Sequence, residues 1–290
     1  MPHKIRSINP LFFEGDFIGD SKSEATNIAG LDDCNASSVV FYRGDDIAFI
    51  ESKEVAILLI DEKMAGKISH FNSGAIVFCE NPKYHWVKVI SDNYTNSFED
   101  SGSQIFHESV ELSSRSLVES NVTIGQNTRV YPYSVLAKDS VVGSDCEIQY
   151  GSVIGGIGLG DVWHQGKYHK FVHLGKVIIG DSVSIGVNVT VLKGMLEDTL
   201  IGNGTKIGNN VNVGHNVVIG QNCYISSGVT IGGACVIENN VWISPGAVIN
   251  DHVTMKAFSK AGTGSVIIKD TLENSFYLGN PARKISQRND

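Results

Sequence analysis

The chain has 290 residues, 42% hydrophobic and 19% charged, with a formal net charge of −8 and a pI near 5.6. This suits a soluble globular protein with room for one large domain or two ordinary ones. It argues against a nucleic-acid partner, because phosphate contacts need clustered Lys and Arg and no basic stripe occurs. There is no apolar run of about 18 residues and no charged-then-apolar leader, so the sequence predicts no membrane span, no secretory signal and a cytoplasmic location. Five cysteines, at 34, 79, 146, 223 and 235, form no CxxC pair, which fits a reducing compartment.

Residues 1–105 mix short apolar runs, SSVVFY, VAILLI and GAIVFC, with polar turns and a predicted helix at ENPKYHWVKVISDNY. That pattern reads as a small α/β domain. The polar segment TNSFEDSGSQ, 95–104, is the expected linker. Beyond it the pattern changes to a second domain over 106–270, followed by a tail over 271–290.

From Ile124 an aliphatic residue recurs every sixth position: 124, 130, 136, 142, 148 and 154, then 179, 185 and 191, then 201 to 261. Eighteen of these twenty beats are Ile, Val or Leu, and eleven are followed by Gly. A helix repeats near 3.6 residues and a half-exposed strand near 2, so a sustained period of six indicates neither. It indicates a parallel β-helix of hexapeptides, three to a triangular coil, with residues 18 apart stacked at about 4.8 Å. Twenty beats predict about seven coils, each beat pointing inward and the small residue after it easing the corner. Cys146, Cys223 and Cys235 each lie two places before a beat, where a small side chain also points inward. They are expected to fill the wall and not to act as nucleophiles.

Two interruptions break the period. Between Ile154 and Ile179, within GGIGLGDVWHQGKYHKFVHLGKVI, there are nineteen residues more than it requires; between Val191 and Ile201, around KGMLEDT, there are four. Solenoid insertions become surface loops, where binding residues concentrate. The glycines, Trp163 and the histidines at 164, 169 and 173 make the first a candidate ligand-facing flap, with Trp163 and His164 as substrate contacts. No Cys or carboxylate lies at a ligand spacing from these histidines, so no metal is assigned.

His215 falls two places after the beat at Val213, so its side chain should leave the coil. Gly233 lies 18 residues on and should stack one coil beyond it; His252 lies 37 on, near the same edge at roughly 10 Å. An imidazole whose usual pKa lies near neutrality, beside an approachable backbone N–H, suits acyl transfer from a thioester. The imidazole takes the proton of the attacking amine or hydroxyl and the N–H meets the oxyanion.

The segments GHNVVIG, LGKVIIGD, KGMLEDTLIGNG and GAVINDHV resemble the UDP-3-O-acylglucosamine N-acyltransferases of lipid A synthesis. The first half is similar to that family's nucleotide-binding domain through IAFIES and VFCENPKYHWVKV. The resemblance implies a left-handed parallel β-helix, an exception to right-handed crossovers, assembled as a homotrimer with active sites between subunits. It implies that His215, followed by Asn216, is the catalytic base, that the Gly233 amide is the oxyanion donor and that His252 is the second active-site histidine. The family's uracil-holding run falls on Phe49, Ser52 and Val55, which keeps one aromatic and lacks an amide and a second ring. The family's longer helical C-terminus is missing, and GNPARKI resembles the ending of hexapeptide acetyltransferases that use acetyl-CoA.

The expected activity is therefore N-acylation of a nucleotide-linked amino sugar by acyl-CoA or an acyl-carrier protein, in lipopolysaccharide or O-antigen-type polysaccharide synthesis, with no permanently bound cofactor. Lys256, Lys260, Lys269, Arg283 and Lys284 are candidates for binding the donor. A sugar O-acetyltransferase of the same architecture would use the same base. A non-enzymatic or zinc-dependent hexapeptide solenoid is the remaining alternative, the latter needing histidines that converge between subunits.

Overall fold

The computed structural model describes residues 2–68, 71, 74–94 and 102–287, so residues 95–101 of the expected linker lie outside the described residues. The chain divides into two compact units, one of 1–97 with 159–172 and one of 98–158 with 173–290.

In the first unit, the three apolar runs become Ser38–Phe41, Ile57–Asp61 and Ala75–Cys79, the parallel centre of a six-stranded sheet. Ala25–Ile28 extends it in parallel, and His3–Ile8 and Asp16–Gly19 close its edges antiparallel. The centre is apolar at consecutive positions because it is covered on both sides; Ile57, Leu58, Leu59 and Ile60 are each at most 1% exposed. The predicted helix forms over Pro82–Asn93. It starts there because the Asn81 side chain accepts the Tyr84 N–H at 3.1 Å and Pro82 needs no partner at the first position. Trp86 Nε1–H donates to the Val39 carbonyl at 3.3 Å and ties the helix to the sheet.

Residues 159–172, the middle of the candidate ligand-facing flap, fold with the first unit. Val162–His164 pairs antiparallel with Lys167–His169 around Gln165 and Gly166, both at positive φ, as a two-residue hairpin turn requires. Phe171 is buried and packs against Trp86, and His164 stacks on Tyr84 with ring centroids 3.9 Å apart. Scattered aromatics with long-range partners leave no period in the sequence, so this packing was not readable there.

The second unit is a left-handed parallel β-helix with three faces. Ile105–Phe106 begins the first face, Glu111–Leu112 the second and Leu117–Val118 the third. The first and third faces have eight strands each, so there are eight coils where the period predicted about seven. The additional starting coil carries Phe106, Leu112 and Val118, and opens on an aromatic residue where the later coils have aliphatic ones. The expected tail is part of the solenoid: Ser275–Gly279 adds to the second face in parallel and Ala282–Gln287 folds back on it.

Beat residues from Ile124 to Ile267 form the core, together with the apolar residues two before a beat; where that position is Ser or Thr, as at Thr128, Ser134 and Thr205, it is buried as well. Cys146, Cys223 and Cys235 occupy that second column at 3% exposure or less, as predicted. Burial pushes their thiols up, that of Cys235 to about 11. The corner is turned differently from the expectation. The left-handed residue is the third after the beat, as at Asn210, Asn216, Asn222 and Asn240, with φ of 54–60°. The glycine directly after the beat is needed for close stacking: a Cβ on Gly202 would stand 2.6 Å from the Gly220 carbonyl carbon of the next coil.

Burial pushes the His85 imidazole below its usual range, with His164 and Lys88 acting the same way against Glu14 and Glu80. Folded His85 therefore binds fewer protons than the unfolded chain below the ordinary imidazole value of about 6.5. The stability this represents is present above that value and is lost as pH falls through the folded value. The helical circular dichroism, which comes from the first unit, should melt at lower temperature at about pH 5.5 than at about pH 7.5, and His85→Leu should shrink the difference.

Candidate functional site

Both excursions leave the wall from one edge. They follow the third-face strands Val153–Gly156 and Thr190–Leu192 and rejoin at the first-face strands Val177–Ile179 and Thr199–Ile201. His215, Gly233 and His252 lie on this same edge, after Asn212–Val213, Thr230–Ile231 and Val248–Ile249. The strand ladder aligns Val191 with Val213, Val213 with Ile231 and Ile231 with Ile249. Positions 193, 215, 233 and 251 consequently form one column, and 216, 234 and 252 the next.

His215 is half-buried and lies directly over Gly233: a Cβ built on Gly233 would be 2.9 Å from both Cε1 and Nε2 of the imidazole. The Gly233 N–H donates to no acceptor among the described residues. It stays approachable because residue 214 is also glycine, where a Cβ would stand 2.7 Å from the Gly233 nitrogen. On the other side of the ring, Nδ1 is 3.0 Å from Asn216 Oδ1.

Asn216 fixes which ring nitrogen holds the proton. Its Oδ1 accepts the Met195 N–H at 2.9 Å, and its Nδ2 donates to the Glu197 carbonyl at 3.1 Å and to Glu197 Oε2 at 3.2 Å. Those three contacts permit only one orientation of the amide. The atom facing His215 is thus an acceptor, so Nδ1 carries the proton and donates. Nε2 is left with its lone pair on the Gly233 side. The second excursion supplies Met195 and Glu197, and the Asn216 backbone N–H donates to Thr199 Oγ1 at 2.9 Å. A proton acceptor beside an open N–H donor can take a proton from an attacking group while the N–H stabilises negative charge on a carbonyl oxygen.

His252 is exposed, with φ +59°, and its N–H donates to the Gly233 carbonyl at 2.9 Å. It is therefore in the Asn216 column, two coils on, one residue out of line with His215. Two groups on this edge escaped the sequence reading. Lys193 shares the offset of His215, two after a beat, one coil earlier. Burial pushes its ammonium below its usual range, Lys138 adds to this, and Asp139 and Glu119 oppose it. His173, read only as one of the histidines of the candidate flap, is buried with its ring centroid 5.9 Å from that of His215.

The other expected residues are distributed more widely. His164 is 8% exposed in the first unit and stacked on Tyr84; Trp163 is exposed and meets Tyr168 edge-on. Phe49 lies on the short helix Ile47–Glu51, with the Tyr42 ring 4.9 Å away and Lys53 Nζ 4.5 Å from its centroid. Val55 is fully buried, so the second ring near Phe49 comes from Tyr42, outside the expected run. The five C-terminal cations separate. Lys256 pairs with Glu238 at 2.8 Å, and Lys260 lies 4.3 Å over the Trp242 ring. Lys269, Arg283 and Lys284 line a concavity of about 530 Å³ with Asp270. Among the described residues no group of three His, Cys, Asp or Glu could hold a metal ion.

Residues 121–156 and 198–233 match the family described as bacterial transferase hexapeptide (six repeats). The chain is 46% identical to the UDP-3-O-acylglucosamine N-acyltransferase of Pseudomonas aeruginosa (strain LESB58) over 76 residues, 26% of this chain and 22% of that protein. It is 37% identical to the enzyme of the same name from Hydrogenovibrio crunogenus over 86 residues, 30% of this chain and 25% of that one. These alignments span about a quarter of each relative's length. The structure is similar to a UDP-N-acetylglucosamine acyltransferase of Francisella novicida, with TM-score 0.54 and 19% identity over 63% of this chain and 68% of the other. The corresponding protein of Campylobacter jejuni gives TM-score 0.54 and 18% identity over 64% and 73%. At these identities the structural likeness bears on the fold. The sequence resemblance to the N-acyltransferases, read first in the repeat and its excursions, is found by direct comparison as well.

Asn216→Ala removes the acceptor at Nδ1 and strands the Met195 N–H. It is expected to cost about 1–3 kcal/mol of stability in denaturant unfolding. Imidazole nitrogen NMR should then show a mixture of His215 tautomers in place of one.

Proposed function

We propose that the chain is an acyltransferase that moves an acyl group from a thioester, acyl-CoA or acyl-carrier protein, to the amine of a nucleotide-linked amino sugar. The observation that carries the reading is His215 Nε2 lying against Gly233, whose N–H has no acceptor among the described residues, with Nδ1 facing Asn216 Oδ1 on the other side. The substrate class, a UDP-linked acylglucosamine, is supported by the resemblance to UDP-3-O-acylglucosamine N-acyltransferases. The setting is lipopolysaccharide or surface polysaccharide synthesis, in the cytoplasm, by a homotrimer.

In the reaction the amine nitrogen attacks the thioester carbonyl carbon and His215 Nε2 takes the amine proton. The oxyanion is held by the Gly233 N–H. Collapse breaks the C–S bond, and the imidazolium returns its proton to the departing thiolate. The thioester is already activated, so no enzyme nucleophile is required, in keeping with cysteines that are buried in the wall. His252 orients the acceptor. Lys269, Arg283 and Lys284 meet the donor's phosphate or acidic surface, and Phe49 with Tyr42 stacks on the nucleotide base.

The test is a matrix of acyl-CoA and acyl-carrier donors against nucleotide amino sugars, read as released thiol and as amide product. His215→Ala should lower turnover by about 10² or more with the fold unchanged by circular dichroism. Near-normal turnover in that variant removes the assigned base. An ester product in place of an amide would transfer the reading to the O-acetyltransferase, and no thiol release from any pair would favour a non-enzymatic solenoid.

A further inference from the structure

His215 has a second imidazole against it. His173, 2% exposed, is the residue at which the chain re-enters the second unit after the first excursion. Its ring meets that of His215 edge to face, at 5.9 Å between centroids and 75° between planes. Gly158, the last residue before the chain leaves that unit, closes the same space. A Cβ built there would be 3.5 Å from His215 Cδ2 and 3.6 Å from His173 Nε2, with Leu192 Cδ1 at 3.2 Å. Both ends of the excursion therefore come close to the His215 ring, beside Gly233, on which a Cβ would stand 3.4 Å from the same Cδ2.

The Asn216 contact fixes the tautomer but holds the ring at one atom only, and χ2 of an imidazole is a broad, soft torsion. A ring pinned at Nδ1 alone can swing, carrying Nε2 away from the Gly233 N–H. A flat, buried group packed against the ring limits that freedom, and aromatic rings favour the edge-to-face arrangement seen here.

We propose that His173 is a positioning residue for His215, holding the imidazole plane so that Nε2 stays over Gly233. The assignment rests on the reading of His215 as the base for its kinetic consequence, but not for its effect on ring order.

Three variants test it, His173→Ala, His173→Gln and His173→Asn. A displacement of order 1 Å at a reacting group costs up to about 10², so His173→Ala should lower kcat about tenfold with KM for both substrates within about twofold. His173→Gln, which keeps a flat polar end of similar reach, should restore kcat to within about threefold of the parent protein. His173→Asn, too short to reach the ring, replaces the Ala variant should that one not fold, and should show the same loss. Side-chain relaxation NMR of His215, recorded without substrate, should show a mobile ring in the Ala or Asn variant and an ordered one in the Gln variant. An unchanged kcat with an ordered ring in the short variants would overturn the proposal. So would a Gln variant as impaired as the Ala variant, since the imidazole itself would then be required. The relaxation measurement needs no acyl chemistry: an ordered ring in the short variants refutes the positioning role even if acyl transfer is established, and a mobile ring supports it even if acyl transfer fails.

Discussion

One repeated hydrogen bond governs the second unit: the N–H of a residue donates to the carbonyl seventeen positions later, on the next coil. It runs from Gly202 to Ile219 at 2.8 Å, from Val218 to Cys235 at 2.9 Å and from Trp242 to Ser259 at 3.0 Å. Because the same bond recurs on all three faces, every residue has an address given by its offset from the beat and its coil. Groups at one offset stand about 4.8 Å apart in successive coils. That separation lets a side chain in one coil reach over the backbone of the next, which is how His215 comes to lie against Gly233.

The same regularity explains what could be read in advance. Inward columns accept only branched or small residues, so the wall, its cysteines and the outward direction of His215 were legible from spacing alone. The first coil was not, because it opens on Phe106, an aromatic residue where the period is carried by aliphatic ones. The fate of the first excursion was not, because Phe171, Trp86, Tyr84 and His164 find one another across the chain and no local pattern encodes it. Lys193 was in principle readable, since it keeps the offset of His215. His173 lies in a stretch with no period, so nothing local announces its place.

The tautomer of His215 shows a further limit. The pair His215-Asn216 is visible in the sequence, yet the direction of the Asn216 amide depends on Met195 and Glu197, which the second excursion delivers to it. Four extra residues that look like a tolerated surface insertion thus determine which nitrogen of an imidazole is basic. In the first unit, similarly, Val55 lies in the core and the ring beside Phe49 is that of Tyr42, a neighbour that no local pattern indicates.

Buried thiols have a practical consequence for chemistry that liberates a thiol. Cys79, Cys146, Cys223 and Cys235 are buried, with their thiols pushed up by loss of solvent, that of Cys79 to about 12. Only Cys34 is partly accessible. Since thiolates are the species that react with aromatic disulfides, the folded protein is nearly silent toward such reagents, and free coenzyme or carrier thiol can be counted against a background of at most one group per chain.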